Sequence, residues 1–123
     1  MKIYLFDTLS KKKKEFIPID EKNVRIYACG PTVYNFAHLG NARMAVVTDL
    51  LVRVLKQKYK KVTFISNITD IDDKIIEAAQ EQNVTTGELT NKYHLIYNQD
   101  MKSLGVSLPT FQPKATDYIA DMI

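Results

Sequence analysis

The chain is poor in the features that mark specialised architectures. Its single cysteine, Cys29, cannot form an internal disulfide, which excludes a crosslinked secreted scaffold and fits a reducing compartment. With only four glycines and four prolines it belongs to neither the collagen-like nor the low-complexity and disordered classes. No window approaches the roughly 20 apolar residues of a membrane span. Asp7 interrupts the opening Met1–Phe6 run too early for a signal peptide. A cytoplasmic protein without membrane contact is the expectation. Charge of one sign does not dominate either: 17 Lys and Arg against 14 Asp and Glu leave +3, far short of the basic stripe of a dedicated nucleic-acid binder.

What is present is the composition of one globular domain, or of a piece of a larger one: 46% apolar and 25% charged residues over 123 positions. Residues 2–8 and 15–19 are short and rich in β-formers, and they predict a hairpin (2–19) whose solvated turn is the run Lys11–Lys14. Val24–Cys29 is a mostly apolar run ending at Gly30-Pro31, as a buried parallel strand does. From Asn41 to about Lys58 the residues Val46, Val47, Leu50, Leu51, Val54 and Leu55 recur at helical spacing. Val62–Ile68 follows as a β-branched strand, so 24–68 forms a βαβ unit.

A helical region covers 70–123. Its first helix is expected to open at Thr69–Asp73, with Thr69 or Asp70 as the cap, and a second to start at Thr86 with Leu89, Tyr93, Ile96, Tyr97 and Met101 as its stripe. Ser107–Pro113 is extended. The apolar pattern from Thr116 reaches Ile123 with no glycine stop, the expected look of a chain that continues.

Chemistry concentrates between Cys29 and Arg43, in the loop that leaves a buried strand and enters a helix. That is where ligands bind in open parallel sheets. Free N–H groups at the helix mouth favour an anion, most simply a phosphate, and Gly40 permits close approach. His38 and Asn41, three residues apart, can both face it, or His38 can merely fix the loop. Arg43 is able to assist or to pair with an acid such as Asp49.

These residues carry a resemblance. His38-Leu39-Gly40-Asn41 is similar to the HIGH signature of class I aminoacyl-tRNA synthetases. Cys29–Tyr34 followed by His38–Arg43, together with Asn67–Ile76 and the residues around Ala115-Thr116, resembles the cysteinyl-tRNA synthetase family over nearly the whole chain. The resemblance implies the N-terminal half of a Rossmann-like α/β parallel-sheet domain of the HIGH-type nucleotidyl transferases, preceded by a β-hairpin and followed by helices. It also implies ATP-dependent activation of cysteine and transfer to the cysteine tRNA by a monomeric parent enzyme.

His38 and Asn41 would be the catalytic pair, with Pro31, Thr32 and Gly40 completing the ATP region. Cys29, Gly30, Thr32, Thr69 and Asp70 would shape the cysteine pocket, and Cys29 would be the first of several zinc ligands. From the residues alone, Cys29 reads as a small buried hydrophobe, and Thr69 and Asp70 as helix caps. The remaining zinc ligands and a KMSKS-type lysine loop are absent from these 123 residues, so the isolated chain is expected to be inactive. Two other functions fit the motifs: a free-standing nucleotide- or partner-binding half-domain, and a ligase joining cysteine to an amino sugar.

Overall fold

Two strand pairs frame the structure, a computed structural model that describes residues 1–123. The first is an antiparallel hairpin of β1 (Tyr4–Asp7) and β2 (Lys12–Glu15). Its turn is not the lysine run, as sequence composition suggested. The Asp7 carboxylate accepts the Ser10 N–H at 3.2 Å, and Lys11 adopts φ 54°, so the chain reverses over residues 8–11. Lys12, Lys13 and Lys14 therefore lie within β2, and residues 16–19 fall outside it. The Lys14 ammonium, 2.8 Å from Asp7, and the Ser10 hydroxyl hold the Asp7 carboxyl well below the usual carboxylate range.

The second pair is parallel. β3 (Val24–Ala28) and β4 (Val62–Ser66) align Val24 with Val62 and Ala28 with Ser66, and the crossover between them is helix α1 (Leu39–Lys58). The extended segment near the end of the chain joins the far edge of β4. Phe111 pairs with Ile65 and Lys114 with Ile68, both in parallel sense. Helix α1 lies against β3 and β4. Val24, Leu55, Tyr59 and Ile3 form the buried cluster at its C-terminal end, so the hairpin closes the base of the βαβ unit.

The buried face of α1 differs from the one predicted. Ala45, Asp49, Val52 and Leu55 are buried, whereas Val46, Val47 and Leu50 are exposed. A charged residue takes a core position because its partners come with it. Asp49 accepts from Arg53 Nε at 2.7 Å and from the Ser107 N–H at 3.2 Å, and the Arg53 guanidinium also donates to the Gly105 carbonyl at 2.6 Å. Asp49 pairs with Arg53, not with Arg43. This set ties the loop after the long helix to α1. Asp49→Ala leaves Arg53 Nε and the Ser107 N–H without an acceptor, while the guanidinium keeps the Gly105 carbonyl. Because Arg53 is 55% exposed, the penalty falls below that of a fully buried pair. A loss of about 2 kcal/mol in chemical denaturation is expected.

Beyond β4 come α2 (Asp73–Glu81) and α3 (Thr86–Ser103), which pack on each other. The cap of α2 is Asp72, which accepts the Lys74 N–H at 2.9 Å, rather than Thr69 or Asp70. Those two stay extended because Thr69 pairs with Thr32. Helix α3 starts where predicted, on a reciprocal Thr85–Glu88 capping box whose backbone and hydroxyl donors lower the Glu88 pKa. Its stripe of Leu89, Tyr93, Tyr97 and Met101 is buried. A 3₁₀ turn (Ala115–Tyr118) and the short α4 (Ile119–Met122) end the chain. No helix is long and apolar enough to cross a membrane.

Candidate functional site

The carboxyl ends of β3 and β4 and the mouth of α1 meet at one place, and the local bonding there is specific. After β3, Gly30 comes so close to the neighbouring strand that a Cβ built on it would sit 1.7 Å from the Asn67 carbonyl oxygen. The Gly30 N–H donates to Asn67 Oδ1 at 3.0 Å, and Asn67 Nδ2 reaches Thr69 Oγ1 at 3.3 Å. Backbone pairing then resumes beyond the strands: Thr69 N–H donates to the Pro31 carbonyl and Val33 N–H to the Thr69 carbonyl. Asn67 is thus the residue that stitches the two strand tips together. Sequence reasoning gave it no individual role, although a polar, weakly β-forming residue at the end of a β-branched run was a usable signal.

Pro31, Thr32, Val33 and Tyr34 continue from these tips into a cleft of about 170 Å³, closed on the other side by Tyr93 and Tyr97 of α3. Val33 and Tyr93 of its lining belong to the most deeply buried cluster of the molecule, together with Ile68, Ile75 and Leu89. Phe36 stands edge-on to Tyr93, with ring centroids 5.3 Å apart. Lys74 lies 5.8 Å from the Tyr34 ring centroid and brings a cation beside the opening.

His38 and Asn41 border the same cleft, and they are also the two halves of a capping box on α1. His38 Nδ1 accepts the Gly40 N–H at 3.0 Å, and Asn41 Oδ1 accepts the His38 N–H at 3.0 Å. Histidine is an unusual cap, and this one sets its tautomer: with Nδ1 accepting, the neutral ring carries its proton on Nε2. Asn41 likewise has its acceptor occupied and its two Nδ2 hydrogens left over. The cap consumes acceptors and leaves donors, at a helix mouth whose first turn contains no acidic residue. Gly40 permits this arrangement, because a Cβ there would lie 2.7 Å from His38 Cε1.

The remaining sequence-predicted residues distribute as follows. Thr32 lines the cleft, and Gly30 and Thr69 sit at the strand tips beside it. Cys29 is an exposed thiol at the end of β3, not a buried hydrophobe. Asp70 bonds the final turn: its two carboxylate oxygens accept the Thr116 N–H at 3.0 Å and the Thr116 hydroxyl at 2.6 Å. No group of three His, Cys, Asp or Glu side chains converges anywhere in the chain. Cys29 is therefore a single ligand where a zinc ion needs three or four, and the residues present do not fit a zinc site.

The family described as tRNA synthetases class I (C) catalytic domain matches residues 15–123. Curated relatives about 50% identical to the chain carry the name cysteine–tRNA ligase. That of Wolbachia sp. subsp. Drosophila simulans is 52% identical over 98% of this chain and 27% of its own length. That of Maricaulis maris is 52% identical over 97% and 26%. The protein of Parvibaculum lavamentivorans is 50% identical over 100% and 26%. The chain thus spans about a quarter of the length of the relatives it matches.

Proposed function

Because the chain belongs to the class I (C) tRNA synthetase catalytic-domain family, we propose that it supplies the ATP-binding crevice of an enzyme that activates cysteine as its adenylate and passes it to the cysteine tRNA. The observation that carries this reading is the donor-only presentation of His38 and Asn41 at the mouth of α1. Attack of the cysteine carboxylate on the α-phosphorus of ATP, with pyrophosphate leaving, builds negative charge on phosphate oxygens. His38 Nε2–H and Asn41 Nδ2–H₂ donate to those oxygens, with their direction fixed in advance by the cap. Asn41 has no titrating group, so it serves as a donor and moves no proton. Pro31, Thr32 and Gly40 shape the approach of the nucleotide. Cys29, Gly30, Thr32, Thr69 and Asp70 form the wall next to the amino acid, with the Asp70 carboxylate held by Thr116.

Zinc is left out of this reading for want of a ligand set, and no step is routed through it. In this scheme 2–19, 24–68 and 70–123 are a hairpin, a βαβ unit and a helical region of one catalytic domain in a monomeric cytoplasmic ligase.

The test uses the chain as it stands. Titration with ATP, followed by backbone amide NMR, should perturb residues 37–42 first. His38→Ala should weaken binding about tenfold, the value of one hydrogen bond to a charged group. Unchanged affinity, or shifts centred elsewhere, would overturn the reading. Cysteine-dependent pyrophosphate exchange by these 123 residues should be undetectable.

A further inference from the structure

Charge in this molecule is separated along its length. Residues 1–23 and 56–61 carry ten lysines against four acids, +6 in all, although the whole chain is only +3; the rest is therefore −3. The two segments share one end of the fold. Tyr59, flanked by Lys58 and Lys60, packs edge-on against Phe16 with centroids 6.4 Å apart, and it belongs to one buried cluster with Ile3 and Leu5 of the hairpin. Lys14 and Lys2 are paired, with Asp7 and Glu15. Lys11, Lys12 and Lys13, and the four lysines around Tyr59, form no ion pair and are exposed. Lys58 lies over the Tyr59 ring, 5.2 Å from its centroid, and the other six have no partner of opposite charge within ion-pair distance, which favours contact with an anion.

The hairpin adds a second feature. Leu5 packs inward, so alternation along β1 turns Tyr4 and Phe6 to the opposite face, where they are 48% and 67% exposed. Lys13 stands directly across the ladder from Phe6. Two flat rings beside unpaired ammonium groups combine stacking platforms with phosphate contacts, the pairing that binds unpaired nucleotides.

We propose that the outer face of the hairpin (Tyr4, Phe6 and Lys13), with Lys11 and Lys12 at its turn end and backed by the lysines around Tyr59, is a binding surface for single-stranded RNA, at the opposite end of the sheet from the crevice. The proposed function enters only in the choice of RNA over DNA.

The probe is a fluorescein-labelled uridine 12-mer, with affinity read by anisotropy across a salt series. K11A/K12A/K13A should bind roughly 10- to 100-fold more weakly at about 0.1 M salt, and its log–log salt slope should be shallower by about 2. Phe6→Ala should lose about tenfold on the single strand and nothing on an RNA duplex, since only unpaired bases stack on a ring. K92A/K102A/K114A removes the same charge elsewhere and should bind nearly as the parent does. Equal losses in the two triple variants would reduce the effect to net charge and overturn the proposal. So would an unchanged RNA affinity accompanied by an altered sedimentation coefficient, which would assign the face to a second copy of the chain. His38→Ala should leave RNA binding intact, so failure here and failure of the ATP reading are separate results.

Discussion

Gly30→Ala is expected to be the most damaging single-methyl change in the molecule. The added carbon would stand 1.7 Å from the Asn67 carbonyl oxygen and 3.0 Å from Ser66 Oγ. The nearest obstacle is main chain, held in place by the β3–β4 ladder on one side and by the Ile68 N–H to Pro113 carbonyl bond on the other. No rotamer change relieves it, so the strand tips must separate and the Gly30–Asn67 hydrogen bond must break. A destabilisation of about 3 kcal/mol or more follows, beyond the usual range for overpacking that flexible side chains absorb. Thermal unfolding should fall by roughly 10–20 °C for a chain of this size, and the crevice amides should lose their native chemical shifts. Gly87→Ala is the natural contrast. It lies in the first turn of α3 with nothing within 4 Å of the added carbon, and there alanine should be neutral or stabilising by up to about 1 kcal/mol. Similar melting points for the two variants would show that the strand tips are not closed against each other.

Ile68→Ala should come next. Ile68 is 0% exposed and packs among Val33, Ile75 and Leu89, in the same cluster as Val33 and Tyr93, which line the cleft. Removing three carbons there takes away transfer free energy and leaves a cavity between elements that cannot all close on it. A loss of about 3–4 kcal/mol in urea unfolding is expected, against about 1 kcal/mol for Ile68→Val. The main chain of Ile68 also bonds to Pro113 and Ala115. Fraying of 110–115 should therefore accompany the loss and be visible as faster amide exchange in that segment. A cost under 1 kcal/mol for Ile68→Ala would mean that the cleft rests on something other than this cluster.

The parts of this structure that were legible in the sequence are those whose causes are local. The strand–helix–strand order of 24–68, the start of α3 at Thr86 and the shared turn of His38 and Asn41 all follow from periodicity and from breakers a few residues away. What escaped has distant causes. Asp49 is buried because Ser107 and Arg53 meet it, and no pattern within α1 shows that. The α2 cap fell to Asp72 because Thr69 was drawn into pairing with Thr32. Asp70 is engaged by Thr116, 46 residues on. The hairpin was displaced for a local reason, an Asp7–Ser10 contact that outweighed the polar look of the lysine run. In the crevice the residue types pointed to an anion, but only coordinates reveal that the cap itself consumes the acceptors.

The third strand position has a consequence for biosynthesis. β3, α1 and β4 are all present once Ser66 has been made, whereas the segment that covers the open edge of β4 begins to pair only with Phe111, 45 residues later. At about 5–20 residues per second, a ribosome leaves that edge bare for roughly two to nine seconds. During this window the emerging chain offers unpaired strand backbone to any neighbour, including the next copy on the same message. Helices α2 and α3 are the elements added during that interval, so their early docking would govern the yield of correctly folded protein.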